Sequence, residues 1–145
     1  MAHHPQQDDI EALADNLSAS ADALHARLMR AIRKPAPGTP SSPNQPGIAQ
    51  GVAQALFENE VALRQRANGL YLDAARLAAA GLGPQRQQLL ELTARAQEKI
   101  DQIARIKDLV DIAADLLAVA AGVAAAKPEQ VVKPLENLKR HIEAL

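Results

Sequence analysis

The sequence contains no cysteine and no tryptophan, and Phe57 and Tyr71 are its whole aromatic complement. Without cysteine there is no disulfide framework, no thiolate nucleophile and no Cys-ligated zinc or iron–sulfur site, so the redox compartment stays open. Two rings offer little for stacking bases, sugars or flat cofactors, and no cofactor is expected. An excess of charge of one sign is missing too. Sixteen Lys and Arg stand against seventeen Asp and Glu, so the molecule as a whole has no electrostatic pull toward nucleic acid or an anionic bilayer. The opening residues, MAHHPQQDDIEALADN, lack the basic and apolar regions of a signal peptide. The expectation is a chain made and kept in the cytoplasm, with signal-independent export left open.

Catalytic signatures are also lacking. There is no HExxH, no Gly-rich phosphate loop and no Gly-x-Ser-x-Gly elbow, and serine occurs only at 18, 20, 41 and 42. The chain therefore reads as a non-enzyme. Asp22 and His25 stand three apart, a spacing that sets two metal ligands on one helix face. A dimetal bundle needs a second such pair, and His141 has Leu138 three before it. A solvent-facing pair is the simpler reading, and no metal is expected. Asp101, Asp108 and Asp115 recur every seven residues with Asp111 between the last two. They fit a cation site or a docking face for a basic partner, but a solvated helix face accounts for them equally and is preferred. Arg27, Arg30, Arg33 and Lys34 form the main basic cluster, which the C-terminal dipole of a helix calls for in any case. With no aromatic platform beside it, nucleic-acid binding is disfavoured.

What the sequence does have is helical periodicity. Residues 1–7 read as a flexible N-terminus. Over 8–34, Ile10, Leu13, Leu17, Ala21, Leu24, Leu28 and Ala31 recur at steps of three and four, with Asp8 and Glu11 spaced as a capping box. Residues 35–47 carry five prolines and read as a linker; Pro37 and Pro40 make one PxxP match, and a semi-rigid spacer is the preferred reading. The stripe resumes at Ile48, Val52, Leu56, Leu63, Leu70, Ala74 and Leu77, with Asn59 at an expected apolar position as a register pin or a wet edge. Gly81 suits a left-handed helix terminus and Pro84 a new first turn, which predicts an antiparallel hairpin. Its second arm is expected to run unbroken from about Pro84 to Ala126, on the order of 60 Å. Lys127-Pro128 stops it, and Val131, Val132, Leu135, Leu138, Ile142 and Leu145 mark a last helix, with Pro134 as a kink or restart.

The most apolar stretch is DLLAVAAGVAAAK, Asp115 to Lys127. Leu116 to Ala126 rises only about 16 Å, whereas a hydrocarbon core is roughly 30 Å thick. Extending the segment back to Leu109 brings in Asp111 and Asp115, each costing about 2.5 to 3.5 kcal/mol on insertion scales. Two adjacent apolar lines, one of Ile106, Val110, Ala113 and Leu117 and one of Leu109, Ile112, Leu116 and Val123, suit a helix packed between neighbours. Beyond Asp115 the opposite side is small, with Ala118, Val119, Gly122 and Ala126, and permits a third contact, from another copy, from the linker or first helix, or from a partner.

These observations predict an all-α, antiparallel helical bundle of three or four helices built on a long helical hairpin, with 8–34 docked on 48–145. The layout is similar to that of small bacterial secretion chaperones, adaptors and immunity proteins, as an analogy of architecture without a shared motif. The expected function is a non-enzymatic interaction module. It binds another protein by helix–helix packing through Leu109, Leu116, Val119, Val123, Val131 and Leu135, with Asn59 as a register pin. Assembly with further copies of itself is compatible with this. The alternative is a membrane-active, pore-forming helical protein using 109–126, and a metal enzyme at Asp22 and His25 comes third.

Overall fold

A computed structural model describes residues 5–33 and 48–145. The described residues form α1 (Pro5–Arg33), α2 (Gln50–Ala78), α3 (Arg86–Ile100), α4 (Ile106–Ala124), one 3-10 turn (Pro128–Gln130) and α5 (Val132–Glu143). The all-α bundle expected from periodicity is present, with no strand among the described residues. Helix α1 starts one turn before Asp8, so residues 5–7 belong to it. The proline-rich 35–47, Lys34, and His3 and His4 lie outside the described residues.

Side-chain pairs fix the directions. Asp15 meets Tyr71, Asp22 meets Arg64 and His25 meets Glu60, so α2 runs antiparallel to α1 along its length. Asp9 meets Arg86, Asn16 meets Thr93 and Arg30 meets Asp101, so α3 runs parallel to α1 on another flank. Helix α2 packs on α4, α4 on α5 and α5 on α3, which closes a ring in the order α1, α2, α4, α5, α3. The apolar stripes all turn inward. Leu13, Leu17, Leu28, Leu56, Leu63, Leu89, Ile112 and Leu138 are fully buried, which removes from water the surface that dominates the driving force for folding.

The long hairpin of the structure is α1 with α2, both of 29 residues, and the expected unbroken rod from 84 to 126 is not formed. The chain breaks over 101–105 into α3 and α4, although no glycine or proline is there. The cause is tertiary. Arg27 on α1 donates from Nε to the Ile103 carbonyl at 2.7 Å and from Nη2 to the Ala104 carbonyl at 3.2 Å, while Arg30 binds both the side chain and the carbonyl of Asp101. Carbonyls that a continued helix would pair internally are taken by α1, and Ile103 drops into the core. Two of the four residues of the basic cluster, Arg27 and Arg30, thus serve a break in another helix.

The other ends follow local rules. Gly81 adopts φ +69° after α2, and its amide bonds the Leu77 carbonyl at 3.0 Å. Helix α4 ends in a Schellman arrangement: Lys127 N–H to Gly122 O at 3.2 Å and Ala126 N–H to Val123 O at 2.9 Å. Ala126 itself takes the left-handed position, at φ +58°, usually given to glycine.

Candidate functional site

Helix α4 is the most apolar element and α5 the most strongly amphipathic. Helix α5 lies antiparallel on α4, since Asp115 meets His141 and Gly122 faces Val131. Its inward stripe is Val131, Leu135, Leu138 and Ile142, all buried. Steps of three and four residues along α5 give it one apolar face, which it lays on the side of α4 marked by Asp115 and Gly122. The third contact permitted on the small side of α4 is made by the chain itself. A Cβ on Gly122 would stand 2.9 Å from Val131 Cγ2, so glycine is what lets the turn before α5 come down onto α4.

This arrangement places the six apolar residues expected at a partner interface. Leu109, Leu116, Val119 and Val123 belong to α4, Val131 and Leu135 to the segment that covers it, and all six are at most 5% exposed. They do not form an open partner-binding face in the folded chain; they are buried in one core cluster, in which α4 packs on both α2 and α5. Asn59 is half-buried and makes no side-chain hydrogen bond among the described residues. The polar pin between helices is Asn16, which donates to Thr93 Oγ1 at 2.9 Å and to the Leu90 carbonyl at 3.3 Å. Thr93 in turn donates to the Leu89 carbonyl at 2.9 Å, so this buried polar seam between α1 and α3 is satisfied.

One ionic group sits inside the α4–α5 contact. Asp115 is buried, and its Oδ2 lies 2.5 Å from His141 Nδ1, while His141 Nε2 is 4.0 Å from Asp111 Oδ2. Burial pushes the Asp115 carboxyl above the ordinary carboxylate range; the His141 contact and the more distant Arg140 pull it down without cancelling that rise, and Asp111 adds to it. The solvated acidic face expected of these residues is therefore split. Asp101 pairs with Arg30 and Asp108 with Arg105 at exposed or half-exposed positions, whereas Asp115 is an interior carboxylate with one dedicated partner. Sequence reading treats His141 as lacking an acidic neighbour because it looks three residues back; the neighbour lies 26 residues away on α4.

The metal reading of Asp22 and His25 gains no support from the geometry. Arg64 places Nη1 2.7 Å from Asp22 Oδ1 and Nε 3.1 Å from Glu60 Oε2, while His25 Nδ1 is 2.8 Å from Glu60 Oε1. A guanidinium already occupies the place between the carboxylates. These hydrogen bonds hold the Arg64 pKa above its ordinary value. Among the described residues no group of three or more His, Cys, Asp or Glu side chains is disposed to hold a metal ion. No described helix is long and apolar enough to cross a membrane.

No protein-family model, curated protein or solved structure matches this chain.

Proposed function

We propose that this chain is a non-enzymatic helical interaction module that accepts an amphipathic helix of a protein partner on the apolar flank of α4. In the free chain that flank is occupied by α5. The observation that carries the reading is the seat itself: a 12-residue helix lies with its apolar stripe on α4, and one carboxylate–histidine contact to the buried Asp115 fixes its register. Leu109, Leu116, Val119 and Val123 are the buried apolar residues of α4 that the proposal offers to the partner, and Val131 and Leu135 define the pattern an incoming helix reproduces. An adaptor, a chaperone for a secreted helical protein and an immunity protein all use such a surface, and a cytoplasmic site of action belongs to the same proposal. The membrane-active alternative would need α4 to leave this seat and take Asp111 and Asp115 into lipid, at about 2.5 to 3.5 kcal/mol each on insertion scales.

The test uses a fluorescently labelled peptide with the sequence of residues 128–145, titrated with the full wild-type chain and with His141→Ala. The substitution removes the partner of a buried carboxylate from the resident helix while the peptide keeps it. The proposal expects saturable binding, about tenfold tighter to His141→Ala than to wild type. Absence of binding to either folded chain contradicts it.

A further inference from the structure

The outward face of α2 carries the most exposed large apolar side chain among the described residues. Leu72 is 85% exposed and Val61 is 52% exposed. At about 100° per residue the two lie within about 20° of each other. They point away from Leu63, Ala67, Leu70 and Ala74, which face the core. No rearrangement of α2 on its own bundle buries both faces, and nothing among the described residues covers Val61 and Leu72. Two exposed residues alone would mean little. The pattern around them is more informative.

We infer that α2 pairs antiparallel with α2 of a second copy of this chain, about a two-fold axis passing between residues 66 and 67. That register sets Val61 of each copy against Leu72 of the other, and Gln65 against Asn68, along one outward line. It also brings Glu58 of each copy within one residue step of Arg76 of the other, on the same side of the helix pair. In an antiparallel pair like-sided positions meet, so the two opposite charges fall together twice. Arg76 already lies 3.1 Å from Asp73 in its own chain, and its side chain is 62% exposed, which leaves it free to bridge to an incoming carboxylate. Gly69, on the same side as Glu58 and Arg76, has open space around its Cβ position and adds no obstruction. The shift that meets the apolar pair also meets the charge pair, and neither was used to choose the other. A contact of one helix per protomer falls at the small end of interface sizes, below about 1,200 Å², so the dimer is a transient, concentration-dependent one. This surface is separate from the α4 seat, and the inference does not rest on the function proposed for that seat.

The absence of native cysteine gives a direct test, since any disulfide reports an introduced pair. Full-length Val61→Cys and Leu72→Cys chains, distinguished by mass, are oxidised separately and as a mixture. The inference expects the mixed disulfide in at least tenfold excess over either self-linked product. In this register Val61 lies about 16 Å along the axis from its own copy, and Leu72 likewise, too far for a disulfide. Light scattering from roughly 10 µM to roughly 1 mM should show the mass rising toward two chains for wild type, with at least a tenfold weaker association for Leu72→Asp, whose side chain does not touch the core. Self-linked products equal to the mixed one, a mass that stays at one chain, or a dimer unaffected by Leu72→Asp would each overturn it.

Discussion

Arg27 on α1 donates from Nε to the carbonyl of Ile103 at 2.7 Å, across 76 residues of sequence. This bond, with those of Arg30 to Asp101, turns what periodicity predicts as one rod into two helices and so sets where α4 starts. Removing the guanidinium leaves the carbonyls of Ile103 and Ala104 without their partner. Arg27→Ala is expected to lower stability in urea unfolding by about 1–2 kcal/mol. Arg27→Lys should recover only part, because an ammonium does not reproduce the fork that reaches two carbonyls. Equal stability of all three proteins would show that the break has another cause.

Ala126 occupies a left-handed position that costs an L-residue roughly 1–2 kcal/mol. Ala126→Gly should therefore raise the unfolding free energy by about 1 kcal/mol, despite glycine's greater freedom in the unfolded chain. Gly122→Ala should lower it by about 1–3 kcal/mol, because its Cβ would stand 2.9 Å from Val131 Cγ2. Thermal melts of the two variants, moving in opposite directions, check both ends of the same Schellman turn.

The Ser20 hydroxyl is fully buried and has no hydrogen-bond partner among the described residues. Ser20→Ala removes the desolvated group without opening a cavity of consequence and should stabilise the protein by about 1 kcal/mol. A destabilised variant would mean that the hydroxyl is satisfied in solution.

Tyr71 donates its hydroxyl to Asp15, and burial, followed by that bond and the negative charges of Asp15 and Glu11, pushes its pKa to about 12. The unfolded value is near 10. Between these values the folded chain holds a proton that the unfolded chain has lost, so the contribution is complete below about pH 10 and disappears as pH rises through about 12. Denaturation across that window should show a steeper alkaline decline for wild type than for Tyr71→Phe. Identical slopes would contradict the link.

The parts of this fold that are legible in the sequence are those set by neighbours along the chain. The stripe from Ile10 to Ala31, the left-handed Gly81 and the stop at Lys127-Pro128 all follow from local chemistry. The apolar flanks of α4 are legible as surfaces that must be covered. That α2 and α5 cover them is not, because a stripe specifies the kind of neighbour and leaves open which one. The break at 101–105 is written in α1, where Arg27 and Arg30 read as a helix-end cluster. Asn16 does the pinning expected of Asn59 because its partner, Thr93, comes from α3, a contact that periodicity within α1 does not reveal. The same holds for His141 and Asp115: two ionisable groups of ordinary appearance become a buried pair only when α5 folds back on α4.

In the proposed function α5 is the part of the bundle that lifts while the rest stays folded. Native-state hydrogen exchange of the backbone amides measures this directly. The amides of Leu138 and Ile142 should exchange through an opening of lower free energy than those of Leu63 and Leu70 in α2. His141→Ala should lower the opening free energy of α5 further, by about 1–3 kcal/mol, with a smaller change in α2. Exchange of α5 and α2 only through one common global unfolding, in both wild type and variant, would contradict it.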